Sequence, residues 1–263
     1  MKRSDLVRVL ESRGCVLADA ADISVAGVDG CPAGWFVVAR TQSDARWICT
    51  WRPSFAEIVD LVGDTAMVAV DIPIGLLDHA QPGGRQCDRA ARKVLGPGRR
   101  SSVFSAPSRD VLGAATHAEA NACSKAGSFW DIGVSLQTFY ITGKVREVDD
   151  ALRSGRASQD RVREVHPELA FWEMGGRGLV PANKKTTAGV QERQRLLEGT
   201  GWFTGLDFGE VLACFPRRDV GRDDILDAAA ACWSAGRLVR CQEKRVVDRP
   251  PKDSHGLVMQ ISW

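Results

Sequence analysis

The chain has 263 residues, 44% of them hydrophobic and 26% charged, with a formal net charge of +2, eight cysteines and four histidines. It is long enough to bury a full core and too apolar for a disordered chain, and no window approaches the roughly 18 uninterrupted apolar residues of a membrane span. The cysteines form no C-x-x-C pair, which argues against a zinc site or a disulfide framework, and the charged start is unlike a secretion signal, so reduced thiols in a cytoplasmic protein are expected.

Residues 1–22 carry a weak helical pattern and read as an appendage. From 23 to 40 the alternation predicts a β-hairpin: Val25, Gly27 and Asp29 share one strand face, Ala26 and Val28 the other, and 30–34 supply the turn before a second run at 35–39. Asp29 stands at the mouth of this hairpin, either as a turn-former beside Gly30 or as a working acid. A third run at 46–51 completes an antiparallel meander. Ser54, with Glu57 three positions on, then starts a helix whose apolar stripe is Phe55, Ile58, Val59 and Val62. The unbroken apolar run 66–76 suits a central parallel strand reached by a right-handed crossover. Asp71 falls at its carboxyl end, where open α/β sheets hold their ligands.

Residues 77–158 show no β alternation but recurrent helix starts, such as Thr116 with Glu119, and predict a large helical insertion. Phe129, Trp130, Phe139 and Tyr140 are read as its local core rather than as a base-stacking platform. The window 85–109 holds Arg85, Arg89, Arg92, Lys93, Arg99, Arg100 and Arg109 against Asp88 alone. It is either a solvated helix face or a surface that tracks phosphates.

A strand is expected next, with Val162, Glu164 and His166 on one face, followed by a helix opened by Pro167. His166 could bind metal or act as a base, although a lone histidine beside a proline is more often a hydrogen-bonded structural residue. Past a basic loop with Lys184 and Lys185, a helix is expected over 186–198, then a variable connection, then an alanine-rich helix over 222–240 able to lie close on a sheet. Asp224 and Asp227, three apart, share a face of that helix. Asp223 and Asp224 fit an N-cap and a first-turn charge, whereas Asp227 lies in the second turn ahead of four alanines and needs a partner, for which a metal ion is suited. Residues 243–263 read as a tail to a domain spanning 23–242.

Six blocks stand in order along the chain: VDGCPAGW (28–35), DIPIGL (71–76), RQCDRAAR (85–92), EVHPELAFW (164–172), NKKT (183–186) and DDILDA (223–228). They resemble the domain of unknown function 429 family, described as predicted RNase H-like nucleases, over residues 25–240. The resemblance implies an α/β, RNase H-like fold: a mixed five-stranded sheet flanked by helices, with the large helical insertion after the fourth strand. The wider RNase H superfamily, Holliday-junction resolvases included, is similar in having an acid on the first strand, another on the fourth and a D-x-x-D-A helix at the end. Those features carry over to Asp29, Asp71, Asp224 and Asp227. Glu164 and His166 on the fifth strand, and the long insertion, depart from the wider pattern.

Clustered carboxylates raise one another's pKa values unless divalent cations neutralise them, and hard oxygen donors suit Mg²⁺ or Mn²⁺. The expectation is therefore two-metal phosphodiester hydrolysis on nucleic acid, with DNA and RNA both open and Asp29, Asp71, Asp224 and Asp227 as metal ligands. Glu164 joins the catalytic candidates, and Lys184 or Lys185 stabilises charge on the phosphate. Arg85, Arg92, Arg99, Arg100, His166 and Glu168 are the candidate substrate contacts. Two other readings share the core. One is an ATP-dependent phosphotransferase or ATPase of the sugar-kinase-like fold, with AGVDGCPAG as its phosphate loop; the other is a small-molecule-binding RNase H-like module without catalysis. The phosphotransferase lacks a second phosphate hairpin and an adenosine loop, GGRG at 175–178 being too short. No membrane partner is expected, and the oligomeric state stays open, a dimer being one option.

Overall fold

The computed structural model describes residues 22–177 and 182–263, so the appendage expected over 1–22 lies outside the described residues but for Asp22. The described residues form two units: one comprises those through Asp71 with those of Arg161–Glu243 and Trp263, the other Ile72–Asp160 with Lys244–Ser262.

The first unit is α/β, built on a mixed five-stranded sheet of order β3-β2-β1-β4-β5 with helices packed against it. β1 (Ile23–Cys31), β2 (Gly34–Thr41) and β3 (Trp47–Arg52) form the expected antiparallel meander. Ser54 caps α1 (Phe55–Val62) by accepting from the Glu57 amide at 3.3 Å, and the helix leads to β4 (Met67–Val70), which runs parallel to β1. β4 is shorter than the apolar run around it. Its last bond to β1 is from the Asp71 amide to the Val28 carbonyl at 3.0 Å, and Pro73, two residues on, has no N–H with which to extend a ladder.

Between β4 and β5 the chain forms the helices of the second unit, α2 (Gln86–Arg99), α3 (His117–Gly127) and α4 (Leu136–Arg153). β5 (Val162–Glu164) then lies parallel beside β4 and has only three residues, which leaves His166 outside it. α5 (Pro167–Met174), α6 (Thr187–Gly199), α7 (Phe208–Cys214) and α8 (Arg222–Val239) follow. α7 lies in what reads as a variable connection. Its start is the same device as at Ser54, an Asp207 side chain accepting from the Glu210 amide at 3.1 Å.

α8 lies almost backbone to backbone on β1. A Cβ on Gly27 would stand 2.0 Å from the Cys232 nitrogen and 2.1 Å from the Ala228 carbonyl oxygen, and Ala228 to Ala231 are wholly buried. Only small residues on both partners permit that approach.

In the second unit, Thr116 and Ser135 cap α3 and α4, accepting from the amides of Glu119 and Thr138. α2 bends at Gly96 (φ 68°), next to Pro97. Residues 244–262, which read as part of a tail, are tied into this unit. Asp253 accepts from the Leu76 amide at 3.0 Å and pairs with Arg109, which also holds Asp149 at 2.9 Å. The expected aromatic core is absent: Phe129, Trp130 and Tyr140 are 91%, 53% and 74% exposed, and Phe139 is half-buried. α4 buries Val145, Val148 and Leu152, and Tyr140 points off that stripe. Among the described residues no helix is long and apolar enough to cross a membrane.

Candidate functional site

Asp29 is not a turn residue. It lies within β1, paired with Phe36, and the hairpin turns beyond it at Pro32 and Ala33. Its face is shared with Gly27, the residue on which α8 rests, so the strand presents the carboxylate toward that helix. Asp227 immediately precedes Ala228, whose carbonyl abuts Gly27, and Asp224 is one turn earlier. Asp71 follows Val70, the register partner of Val28 on the neighbouring strand. The four acids expected from the sequence therefore meet at one end of β1 and β4. Asp29 and Asp227 are 9% and 2% exposed, and Asp71 is half-buried.

Their electrostatics follow from that crowding. Burial first, then the charges of Asp71, Asp227 and Asp224, push the Asp29 carboxyl well above the usual range, against the opposing pull of Lys184. Burial and Asp227 push Asp71 up to about 8. Asp224 rises to about 6, mainly through burial, although its carboxylate accepts from the Gly221 amide at 2.8 Å. Asp227 is raised by burial and held down by Lys184.

Lys184 Nζ donates to Asp227 Oδ2 at 2.6 Å and stands 3.8 Å from Asp223. Burial works against its charge, but Asp227, Asp29 and Asp71 keep it firmly protonated. The turn at Asn183 selects this lysine. The Asn183 side chain accepts from the Lys185 amide at 3.0 Å and its carbonyl from the Thr186 hydroxyl at 2.8 Å, with Lys184 turned to Asp227 and Lys185 exposed.

The other candidates have different duties. Glu164 is buried at the end of β5, in register with Val70. His166 is the N-cap of α5, its Nδ1 accepting from the Glu168 amide at 3.2 Å, which is the bland role foreseen for it. Glu168 is 7% exposed and pairs at 2.5 Å with the buried Arg193, and its charge also acts on Asp71 and Asp227, so it borders the acidic site. Arg85 is a correction to the candidate substrate contacts. It is 2% exposed, with its guanidinium on Asp88 at 2.7 Å and on the carbonyls of Ile74 and Gly75, because a buried arginine must satisfy its donors internally. Arg92 likewise binds the carbonyls of Val103 and Gly83, both at 2.6 Å. Arg99 is half-buried and Arg100 exposed, so the second unit turns only part of its basic window outward.

Sequence reasoning missed Arg193, which is wholly buried and lies 5.4 Å from the Phe171 ring centre. Its charge also acts on Asp227. The signal was its spacing: Val190, Arg193 and Leu197 fall on one helix face, so the arginine occupies a core position of α6.

The donor set suits a hard divalent cation, since it consists of carboxylate oxygens in excess over one ammonium. Asp227 Oδ1 is buried with no hydrogen-bond partner, although buried oxygens are ordinarily satisfied. Among the described residues no three His, Cys, Asp or Glu side chains are gathered as around one ion, and Lys184 supplies the positive charge at Asp227.

No curated protein and no solved structure matches this chain. A family model described as "Protein of unknown function (DUF429)" matches residues 27–253, a span that takes in all four acids and Lys184. With most of its length covered by that match, the chain belongs to the DUF429 family.

Proposed function

We propose that this protein is an RNase H-like, metal-dependent nuclease that hydrolyses phosphodiester bonds at the acidic site. The observation that carries the reading is the meeting of Asp29, Asp71, Asp224 and Asp227, with the buried Asp227 Oδ1 left unpartnered. An acid on the first strand, another on the fourth and a D-x-x-D-A helix at the end is the arrangement the superfamily resemblance implies, and Asp71 stands one residue past β4. Asp29, Asp71, Asp224 and Asp227 would hold Mg²⁺ or Mn²⁺, which when bound supplies an activated water and stabilises the leaving oxygen. Lys184, held protonated by its acid neighbours, offers a fixed cation to a phosphate oxygen. The burial of Asp29 and Asp227 limits screening of their charges by bulk water.

The hairpin weighs against a phosphotransferase. Pro32 has no amide hydrogen and the Ala33 amide donates to the Asp219 carbonyl at 2.9 Å, so the turn has few donors left for a phosphate. The test is cleavage of labelled single-stranded and duplex DNA and RNA with Mn²⁺ and with EDTA, by the wild type and by Asp29→Asn. Cut strands only with Mn²⁺, and none from Asp29→Asn, are expected. Equal cutting by both proteins, or none by the wild type on any substrate, removes the proposal.

A further inference from the structure

Phe129, Trp130 and Tyr140 are large rings in water, in a unit that buries its smaller aliphatic residues well. Rings of this size are ordinarily covered, so their exposure is informative. Phe129 and Trp130 meet edge to face with centroids 5.5 Å apart. The loop that carries them is firmly held. Ser128 Oγ donates to the Ala80 carbonyl at 2.8 Å and accepts from the Trp130 amide, Ser124 Oγ donates to the Ile132 carbonyl, and Asn121 Oδ1 accepts from the Val134 amide. Asp131 turns the chain with a φ of 51°. The rings are therefore presented from a fixed support. Tyr140 and Leu136 share an exposed face of α4, and Lys144 follows Tyr140 by one turn.

Charge selects the occupant. The second unit holds sixteen Lys and Arg against eleven Asp and Glu, a net +5 in a chain whose total is +2. Arg89, Lys93 and Arg100 are among its exposed cations. Two copies of so basic a unit repel each other, whereas a polyanion is drawn to it. A duplex keeps its bases stacked on one another, but a single strand offers a free π-face at every base. We infer that the exposed rings of Phe129 and Trp130, and that of Tyr140, each stack on bases of single-stranded nucleic acid, whose phosphates the surplus lysines and arginines of the unit attract. This inference rests on the nucleic-acid reading above and names its strand type.

The test is fluorescence anisotropy of the full chain in EDTA with labelled oligo-dT, an abasic strand of equal length and a duplex. Oligo-dT should bind tightest. Trp130→Ala and Tyr140→Ala should each weaken oligo-dT about tenfold, leave the abasic strand unchanged and leave the salt slope intact, since no phosphate contact is removed. Trp130→Phe, which keeps a ring, should retain most of the affinity. Equal binding of oligo-dT and the abasic strand, or full affinity in both alanine variants, overturns the inference. So does a dimer seen by sedimentation that the alanine variants dissolve while strand binding stays the same. Ring-dependent binding by a protein that cuts nothing keeps the base stacking and removes the nuclease. Cutting with ring-independent binding does the reverse.

Discussion

Asp71 gives the sharpest handle on the acidic site, because its pKa rises from 3.8 to about 8 on folding without a bound cation. A carboxyl raised in this way is favoured by the fold in its neutral form. The stability from that preference is complete below pH 3.8 and is lost as pH climbs through about 8. A shift of roughly four units, at about 1.4 kcal/mol each, sets a ceiling of about 6 kcal/mol. Asp71 itself is half-buried and partly open to water, so on the order of 3 kcal/mol is the working figure. Asp71→Asn removes the titration while keeping the shape. In EDTA the variant should match the wild type below pH 3.8, gain on it steadily as pH rises, and melt about 6–12 °C higher near pH 8, taking a few degrees per kcal/mol for a chain of this size. Thermal melts across that range, repeated with Mn²⁺, are the assay. Added metal should raise the wild type at pH 8 more than the variant, because it neutralises the charge the variant lacks. Parallel pH profiles for the two proteins would refute the claim that Asp71 is ionised against its neighbours.

Glu168→Gln should destabilise the protein by about 3–5 kcal/mol, since it strands the buried Arg193 guanidinium, and Glu168→Gln with Arg193→Met should recover part of that loss in denaturant melts. Recovery would show that the two buried charges neutralise each other. Gly27→Ala should cost about 3 kcal/mol or more and abolish metal-dependent cleavage, because the new methyl group meets α8 backbone at 2.0 Å and must drive the helix, with Asp224 and Asp227, away from Asp29. An unchanged melting temperature would mean that α8 does not rest on that strand.

Much of the acidic site is legible because its signals are local. Ser54 and Glu57 announce a helix start within four residues, and an acid after a short apolar run marks a strand end wherever the sheet lies. Gly27 and the alanines of α8 are small on both sides of one contact, which is why the helix packing can be foreseen. What is lost is non-local. Glu168 and Arg193 are 25 residues apart, and neither shows in its own window that the other neutralises it. Lys184 and Lys185 are equivalent as letters, and only the Asn183 turn separates them. The N-cap of α8 also moves: Gly221 holds it, and Asp224 reaches back to the Gly221 amide, where composition favours Asp223 as the cap. Phe129 and Trp130 read as core because apolar rings usually are, and periodicity carries no information about a loop.

The Asp253 contacts bear on how the chain folds. That carboxylate joins the Leu76 amide across 177 positions and Arg109 across 144, so the second unit closes through contacts of very long sequence separation. During synthesis every strand of the sheet and all of α8 have been made before residue 253 emerges. The sheet unit can thus settle first, while the insertion waits with three helices formed and its anchoring acid still missing. A slow late phase in refolding, removed from early formation of the sheet and sensitive to Asp253→Asn, is the kinetic trace such an architecture should leave.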